Sequence, residues 1–104
     1  MAIRVPVVNG SLVDFTAVLK KSVTVDQVNK AFKKAAFGKF RGILEYSQEE
    51  LVSPDIIGNP HSCVIDSLST RSNGKTVKVL GWYDNEYGYS NRMVDVLKKM
   101  ARKL

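Results

Sequence analysis

The chain reads as an α+β domain, a mixed and largely antiparallel sheet with helices packed on it. Three observations predict this fold: apolar residues alternate with polar ones in several short runs, two Asn-Gly pairs punctuate those runs, and two longer stretches carry helical periodicity. The 104 residues suffice for one modest domain, with 44% apolar and 25% charged residues as in ordinary globular proteins.

The elements follow in order. Ile3, Val5 and Val7 alternate with Arg4 and Pro6, so Ile3 to Val8 reads as a strand that Pro6 places at an edge or bulge. Asn9-Gly10 then precedes a second run in which Val13, Phe15, Ala17 and Leu19 share a face. This is a hairpin signal, with a bulged bend in one long strand as the alternative. Thr24 starts a helix, Gln27 completes a capping box, Val25, Val28, Phe32 and Ala35 form its buried stripe, and Gly38 stops it.

Ile43 to Tyr46 reads as a short strand, and the turn-rich stretch through Ser53-Pro54 and Gly58-Asn59-Pro60 as a loop. Ser62 to Ser69 and Thr76 to Asp84 read as strands around Asn73-Gly74, the latter central because it is apolar on both faces from Val79. From about Gly88 the period becomes helical. Met93, Leu97, Met100 and Leu104 share one face, Asp95 is spaced to pair with Lys99, and cations crowd the last turn. Part of the surface that receives this apolar stripe is expected to belong to another domain or subunit.

Charge and cysteine content exclude several functions. The net charge of +6 comes largely from Lys30, Lys33, Lys34, Lys98, Lys99, Arg102 and Lys103, spaced as the solvated faces of two helices. No basic and aromatic stripe marks a nucleic-acid site. Cys63 is the sole cysteine, which rules out an internal disulfide and points to the cytosol. The start MAIRVPVV lacks a signal peptide's basic and apolar regions, and no run is long enough to span a bilayer. A strand beginning at Ile3 without leader or cap is what a chain cut from something larger would show.

The most informative segment is WYDNEYGYSNR, Trp82 to Arg92, where aromatics, Asp84, Asn85 and Glu86 crowd a strand-to-helix junction. Neither a strand end nor a helix start needs so dense a mixture. Asn85 offers an amide for another amide, or a cap for the helix. Arg4 offers a guanidinium fork for phosphate, or a partner for Asp14. His61 and Cys63 sit at i and i+2 on a strand, but Cys63 reads as a small buried hydrophobe and not as a nucleophile. One His and one Cys make no structural zinc site, and no GxGxxG follows a strand.

Three stretches, RVPVVNGSLVDFTAVL, GILEYSQEELVSPDIIGNPHSCVID and VKVLGWYDNEYGYSNRMVDVL, together resemble the C-terminal part of the catalytic domain of phosphorylating glyceraldehyde-3-phosphate dehydrogenases. That resemblance implies an NAD-dependent enzyme of glycolysis, tetrameric and cytoplasmic, which oxidises an aldehyde through a thioester and releases an acyl phosphate. It implies that Arg4 contacts the phosphate of glyceraldehyde 3-phosphate and the region of inorganic phosphate. It assigns Asn85 to the nicotinamide carboxamide, with Tyr83, Glu86 and Tyr87 bordering the nicotinamide and nucleophile. The family's nucleophilic cysteine, its histidine base and its dinucleotide-binding domain lie N-terminal to the matched segment. Residues 1–104 are therefore expected to form a partial catalytic domain, without catalytic residues or a Rossmann domain and inactive alone. The alternative is a standalone binding or assembly module derived from the family.

Overall fold

The computed structural model describes residues 1–104. Its elements are β1 (Ser11–Val18), α1 (Val25–Phe37), β2 (Leu44–Ser47), α2 (Ser53–Ile56), β3 (Cys63–Asn73), β4 (Thr76–Tyr83) and α3 (Tyr87–Ala101). The four strands form one mixed sheet in the order β1-β4-β3-β2. β1 and β3 flank β4 antiparallel, whereas β2 runs parallel to β3. The α+β expectation holds, and β4 is internal as its apolar faces require. No helix is long and apolar enough to cross a membrane.

Short-range signals produced the clearest elements. Thr24 accepts a hydrogen bond from the Gln27 N–H at 3.2 Å, and its own N–H donates to Gln27 Oε1 at 2.9 Å, so both halves of the capping box form at α1. Gly38 ends that helix with its N–H on the Ala35 carbonyl. Asn73 and Thr76 pair across a two-residue hairpin in which Gly74 takes a φ of +60°.

The core is small. Val28 of α1 packs on Ile65, Val77 and Val79, with Ala17, Val23, Phe32, Leu44, Tyr46 and Cys63 around them. Between Asp66 and Arg71 the β3–β4 register shifts, freeing backbone groups from the ladder. Asn29 of α1 meets this irregularity: its Nδ2 donates to the Ser67 carbonyl at 3.0 Å and its Oδ1 accepts from the Thr70 hydroxyl at 2.7 Å. The Ser67 carbonyl and the Thr70 hydroxyl are thus matched by one helix side chain.

Four expectations are corrected. Ile3 to Val8 is not a strand, and Asn9-Gly10 joins no hairpin. The Val7 N–H closes on the Val5 carbonyl at 2.9 Å, a tight turn centred on Pro6, whose fixed φ and missing N–H suit it. Gly10, with a φ of +96°, then bends the chain past Ser53 into β1. The stretch around Ser53 contains a helical turn, because Asp55 Oδ2 accepts the Val52 N–H at 2.8 Å while Pro54 suits a first turn. β3 extends to Asn73 by accommodating the register shift, so it is longer than its alternating segment suggests. Asp95 pairs with Arg92 at 2.8 Å and not with Lys99, because Arg92 is already held beside it by Gly42 and Ser62.

β4 also contains a close approach that tests the packing. A Cβ at Gly81 would lie 2.5 Å from Cys63 Sγ and 3.2 Å from Val13 Cγ1. Gly81→Ala is expected to destabilise the protein by about 1–3 kcal/mol, the usual cost of overpacking. In urea unfolding, Cys63→Ala should relieve part of that loss in a double-mutant cycle. Additive effects of the two changes would refute the contact.

Candidate functional site

The candidate site begins where β4 hands over to α3. β4 delivers Tyr83 from the sheet, and α3 starts at Tyr87, so residues 84–86 must turn the chain within three positions. Asp84 makes that turn possible. Its Oδ1 accepts hydrogen bonds from the Glu86 and Tyr87 N–H groups and from Asn9 Nδ2, all at 2.8 Å. Its Oδ2 accepts the Gly58 N–H at 2.9 Å, and its carbonyl accepts the Gly88 N–H at 3.1 Å.

Asp84 is only 2% exposed, a position at which an unpaired carboxylate would be costly. Burial pushes its pKa upward, but the Asn9 amide and the Gly58, Tyr87 and Glu86 N–H groups outweigh that push and hold it down at about 2. Asp84, not Asn85, therefore caps the final helix, and Asn85 is released from that task.

Asn85 projects at the surface, where its Oδ1 accepts the Ser11 hydroxyl at 3.1 Å. The β1–β4 register explains this meeting: Ser11 pairs with Tyr83, two residues before Asn85. Its amide keeps the two Nδ2 donors and a second Oδ1 lone pair for other partners. Beside Asn85 is a cavity of about 210 Å³ lined by Ser62, Tyr83, Asp84, Asn85, Tyr89 and Arg92.

Further contacts anchor α3 from the other side. A Cβ at Gly88 would lie 2.8 Å from the His61 carbonyl oxygen, so the first turn of α3 packs directly on the segment before β3. Arg92, one turn on, reaches the Ser62 hydroxyl at 3.3 Å and the Gly42 carbonyl at 3.4 Å. His61 itself turns away from Cys63: its Nδ1 lies 2.9 Å from Asn59 Oδ1 and 3.0 Å from Glu45 Oε2. Burial raises the Cys63 pKa and favours the inert thiol. No group of three or more His, Cys, Asp or Glu residues is arranged to hold a metal ion.

The candidate residues are thus not all assembled at one place. Tyr83 and Asn85 share the cavity wall, whereas Glu86 and Tyr87 lie in the helix start outside its lining. Glu86 contributes its carbonyl to the Ser90 hydroxyl at 2.8 Å. Arg4 lies in the exposed segment before β1 and does not line the cavity. The pairing with Asp14 does not form, since Asp14 takes Lys78 at 2.7 Å. Sequence reasoning gave Asn9 only a turn and gave no site role to Ser11, Tyr89 or Arg92. The helix-capping spacing from Asp84 to Tyr87 was the one local signal for Asp84, while Ser11 carried none.

The fold is thus an α+β layer whose sheet-to-helix junction places the Asn85 amide beside a cavity walled by Tyr83 and Tyr89. The sequence model of the family described as "Glyceraldehyde 3-phosphate dehydrogenase, C-terminal domain" matches residues 1–85, and the chain belongs to that family. Glyceraldehyde-3-phosphate dehydrogenase 2 of Bacillus subtilis is 52% identical over 105 aligned residues, covering 100% of this chain and 31% of the relative. The Priestia megaterium dehydrogenase is 56% identical over 103 residues, covering 98% of the chain and 31% of the relative. Glyceraldehyde-3-phosphate dehydrogenase 1 of Streptomyces avermitilis is 52% identical over 95 residues, covering 91% and 28%. The chain thus spans about 30% of the length of these curated relatives.

The Asp84 network sets a pH dependence. Its pKa falls from 3.8 to about 2 on folding, so between those values the unfolded chain binds more protons. The stabilisation is present above the unfolded value and is lost as pH falls through about 2. Acid unfolding followed by circular dichroism should show this contribution, and Asp84→Asn should remove it while destabilising the protein at neutral pH. An unchanged acid profile in that variant would contradict the network.

Proposed function

We propose that this chain acts as the C-terminal part of the catalytic domain of an NAD-dependent, phosphorylating glyceraldehyde-3-phosphate dehydrogenase. The observation that carries this reading is Asn85: a surface amide in contact with the Ser11 hydroxyl, beside Tyr83 at the wall of the cavity. An exposed amide there offers a donor and an acceptor to a nicotinamide carboxamide. When bound, NAD supplies the hydride acceptor, and this chain's task is to orient it. Holding the carboxamide fixes which face of the ring meets the aldehyde.

Arg4 supplies charge to the substrate phosphate and the inorganic-phosphate region. Its position in an exposed segment, with Asp14 committed to Lys78, leaves the guanidinium fork available for phosphate oxygens. Tyr83, Glu86 and Tyr87 support the nicotinamide region by packing and by shaping the start of α3. The nucleophile and base come from sequence outside these residues, since Cys63 is a half-buried thiol whose pKa is raised and His61 is engaged with Glu45 and Asn59. The intact enzyme works as a cytoplasmic homotetramer, a reading supported by family membership and by the apolar surface of α3.

Three measurements test this function. The 104 residues alone should give no aldehyde-dependent NAD reduction; turnover by the purified chain would overturn the division of labour. In an intact dehydrogenase containing these residues, Arg4→Ala should raise KM for the phosphorylated aldehyde or for phosphate by about 10- to 100-fold, as expected for lost charge-assisted hydrogen bonds. Normal kinetics with both substrates would remove Arg4 from the site. Asn85→Ala in the same enzyme should weaken NAD binding by about five- to tenfold without lowering Tm. Unaltered NAD affinity and turnover would refute its role.

A further inference from the structure

We infer that the outer end of α1 is a docking site for an anionic lipid surface, with Phe37 as the inserted side chain and Lys30, Lys33, Lys34, Lys39 and Arg41 as the charges that hold it there. The site is separate from the Asn85 junction and does not depend on the assignment of that amide. α1 has already met its need for burial: Val28 and Ala36 are buried and Phe32 packs on the core, on the face turned to β2 and β3. Lys30, Lys34 and Phe37 follow one another at i, i+4 and i+7 on the opposite face, all exposed. A phenylalanine 70% exposed at that pole contributes nothing to the fold by burial. The next residues keep more apolar surface at the same end. The Phe40 N–H donates to the Ala35 carbonyl and the Ile43 N–H to the Phe40 carbonyl, both at 2.9 Å, which folds the chain back against the helix end with Phe40 41% and Ile43 40% exposed.

The charge of this end is one-sided. No carboxylate occurs between Asp26 and Glu45, and none of the cations in that span forms an ion pair. Asp26 shares the outer face but stands at the far end of the helix, about 16 Å from Phe37 along an axis that rises ~1.5 Å per residue. That is roughly two Debye lengths in physiological salt. Glu45 is engaged elsewhere, accepting from Asn59 Nδ2 at 2.7 Å and lying 3.0 Å from His61 Nδ1. The cations therefore keep their full attraction for an external anion.

Unpaired cations are costly to bury against another protein's core, whereas anionic headgroups neutralise them while an aromatic ring enters the boundary with the acyl chains. The outer pole of a helix is convex, which suits a flat surface and not a groove that must track a strand. Lys39 Nζ stands 4.8 Å from the centre of the Phe40 ring, so one face of that ring is closed to a stacked base, and Ile43 has no ring to offer one. A lipid surface thus fits this end better than a single-stranded nucleic acid, which is held by open aromatic platforms.

The experiment is co-sedimentation of the intact protein containing these residues with vesicles of phosphatidylcholine alone or mixed with phosphatidylserine. Binding is expected to the phosphatidylserine vesicles only, weakening as salt rises. Phe37→Ala should lower the partition coefficient by roughly tenfold, as for loss of an inserted aromatic side chain. Lys33→Gln combined with Lys34→Gln should lower it by roughly 25-fold, about fivefold per cation. Both variants should keep their Tm and NAD affinity, because none of these side chains lines the cavity beside Asn85. In Phe37→Trp, emission should shift to the blue on phosphatidylserine vesicles beyond any change that Trp82 shows in the wild type. Absence of binding to either vesicle overturns the inference, as does binding that both variants leave unchanged. Binding lost in the lysine variant but kept in Phe37→Ala, with no blue shift in Phe37→Trp, overturns insertion. Phe37-dependent retention of polyuridylic acid without vesicle binding overturns the lipid in favour of a nucleic acid.

Discussion

The Asp84 carboxylate joins three pieces of chain at one point. Asn9 comes from the segment before β1, Gly58 from the turn after α2, and Glu86 and Tyr87 from the first turn of α3. All are hydrogen-bond donors converging on one buried anion, and the four donors offset the desolvation that burial imposes. The helix start adds a favourable field, because its N-terminal N–H groups and macrodipole attract negative charge. The path of α3, the entry of β1 and the placement of Asn85 all follow from this one group.

This arrangement explains how a junction can be both sharply turned and well defined. An aspartate that completes the helix start leaves the next residue free to point outward, and Asn85 stays exposed while the N–H groups behind it are satisfied. The aromatic neighbours have separate tasks: Tyr83 and Tyr89 wall the cavity, whereas Tyr87 stands at the helix start outside it. Density of aromatics in the sequence thus reflects two environments placed back to back. The arginine of the next turn belongs to the same construction, since Arg92 joins the cavity wall to the segments before β2 and β3.

Features governed by neighbours in the chain were legible in the sequence. Thr24 and Gln27 cap α1 three residues apart, and Asn73-Gly74 closes a hairpin between strands it directly joins. Features governed by distant partners were not. Ile3 to Val8 has the alternation of a strand but lacks a ladder, and Pro6 lets the chain close a turn instead. Asp84 caps α3 in place of Asn85, and its buried carboxylate is further held by Asn9, 75 residues away, and Gly58, 26 residues away. The family resemblance singled out Arg4 and Asn85, but it could not supply Ser11, whose contact with Asn85 depends on the register of two strands.

The balance between core and clamp has a physical cause. α1 covers β2 and β3, so the apolar cluster is centred on Val28, Ile65, Val77 and Val79, while Phe15 on the same sheet face at β1 remains 59% exposed. α3 buries only Gly88 and leaves Met93, Leu97 and Met100 exposed, so hydrophobic packing within these residues does not fix its direction. Apolar burial is nondirectional and tolerates small rotations of a helix. Hydrogen bonds to a buried carboxylate do not, because they weaken steeply with misalignment. A sharp strand-to-helix turn is therefore better fixed by a polar clamp than by a larger core at the same junction. The exposed stripe of α3 then remains available for packing against further protein surface without disturbing Asn85, since the fastening lies entirely in the helix's first two turns.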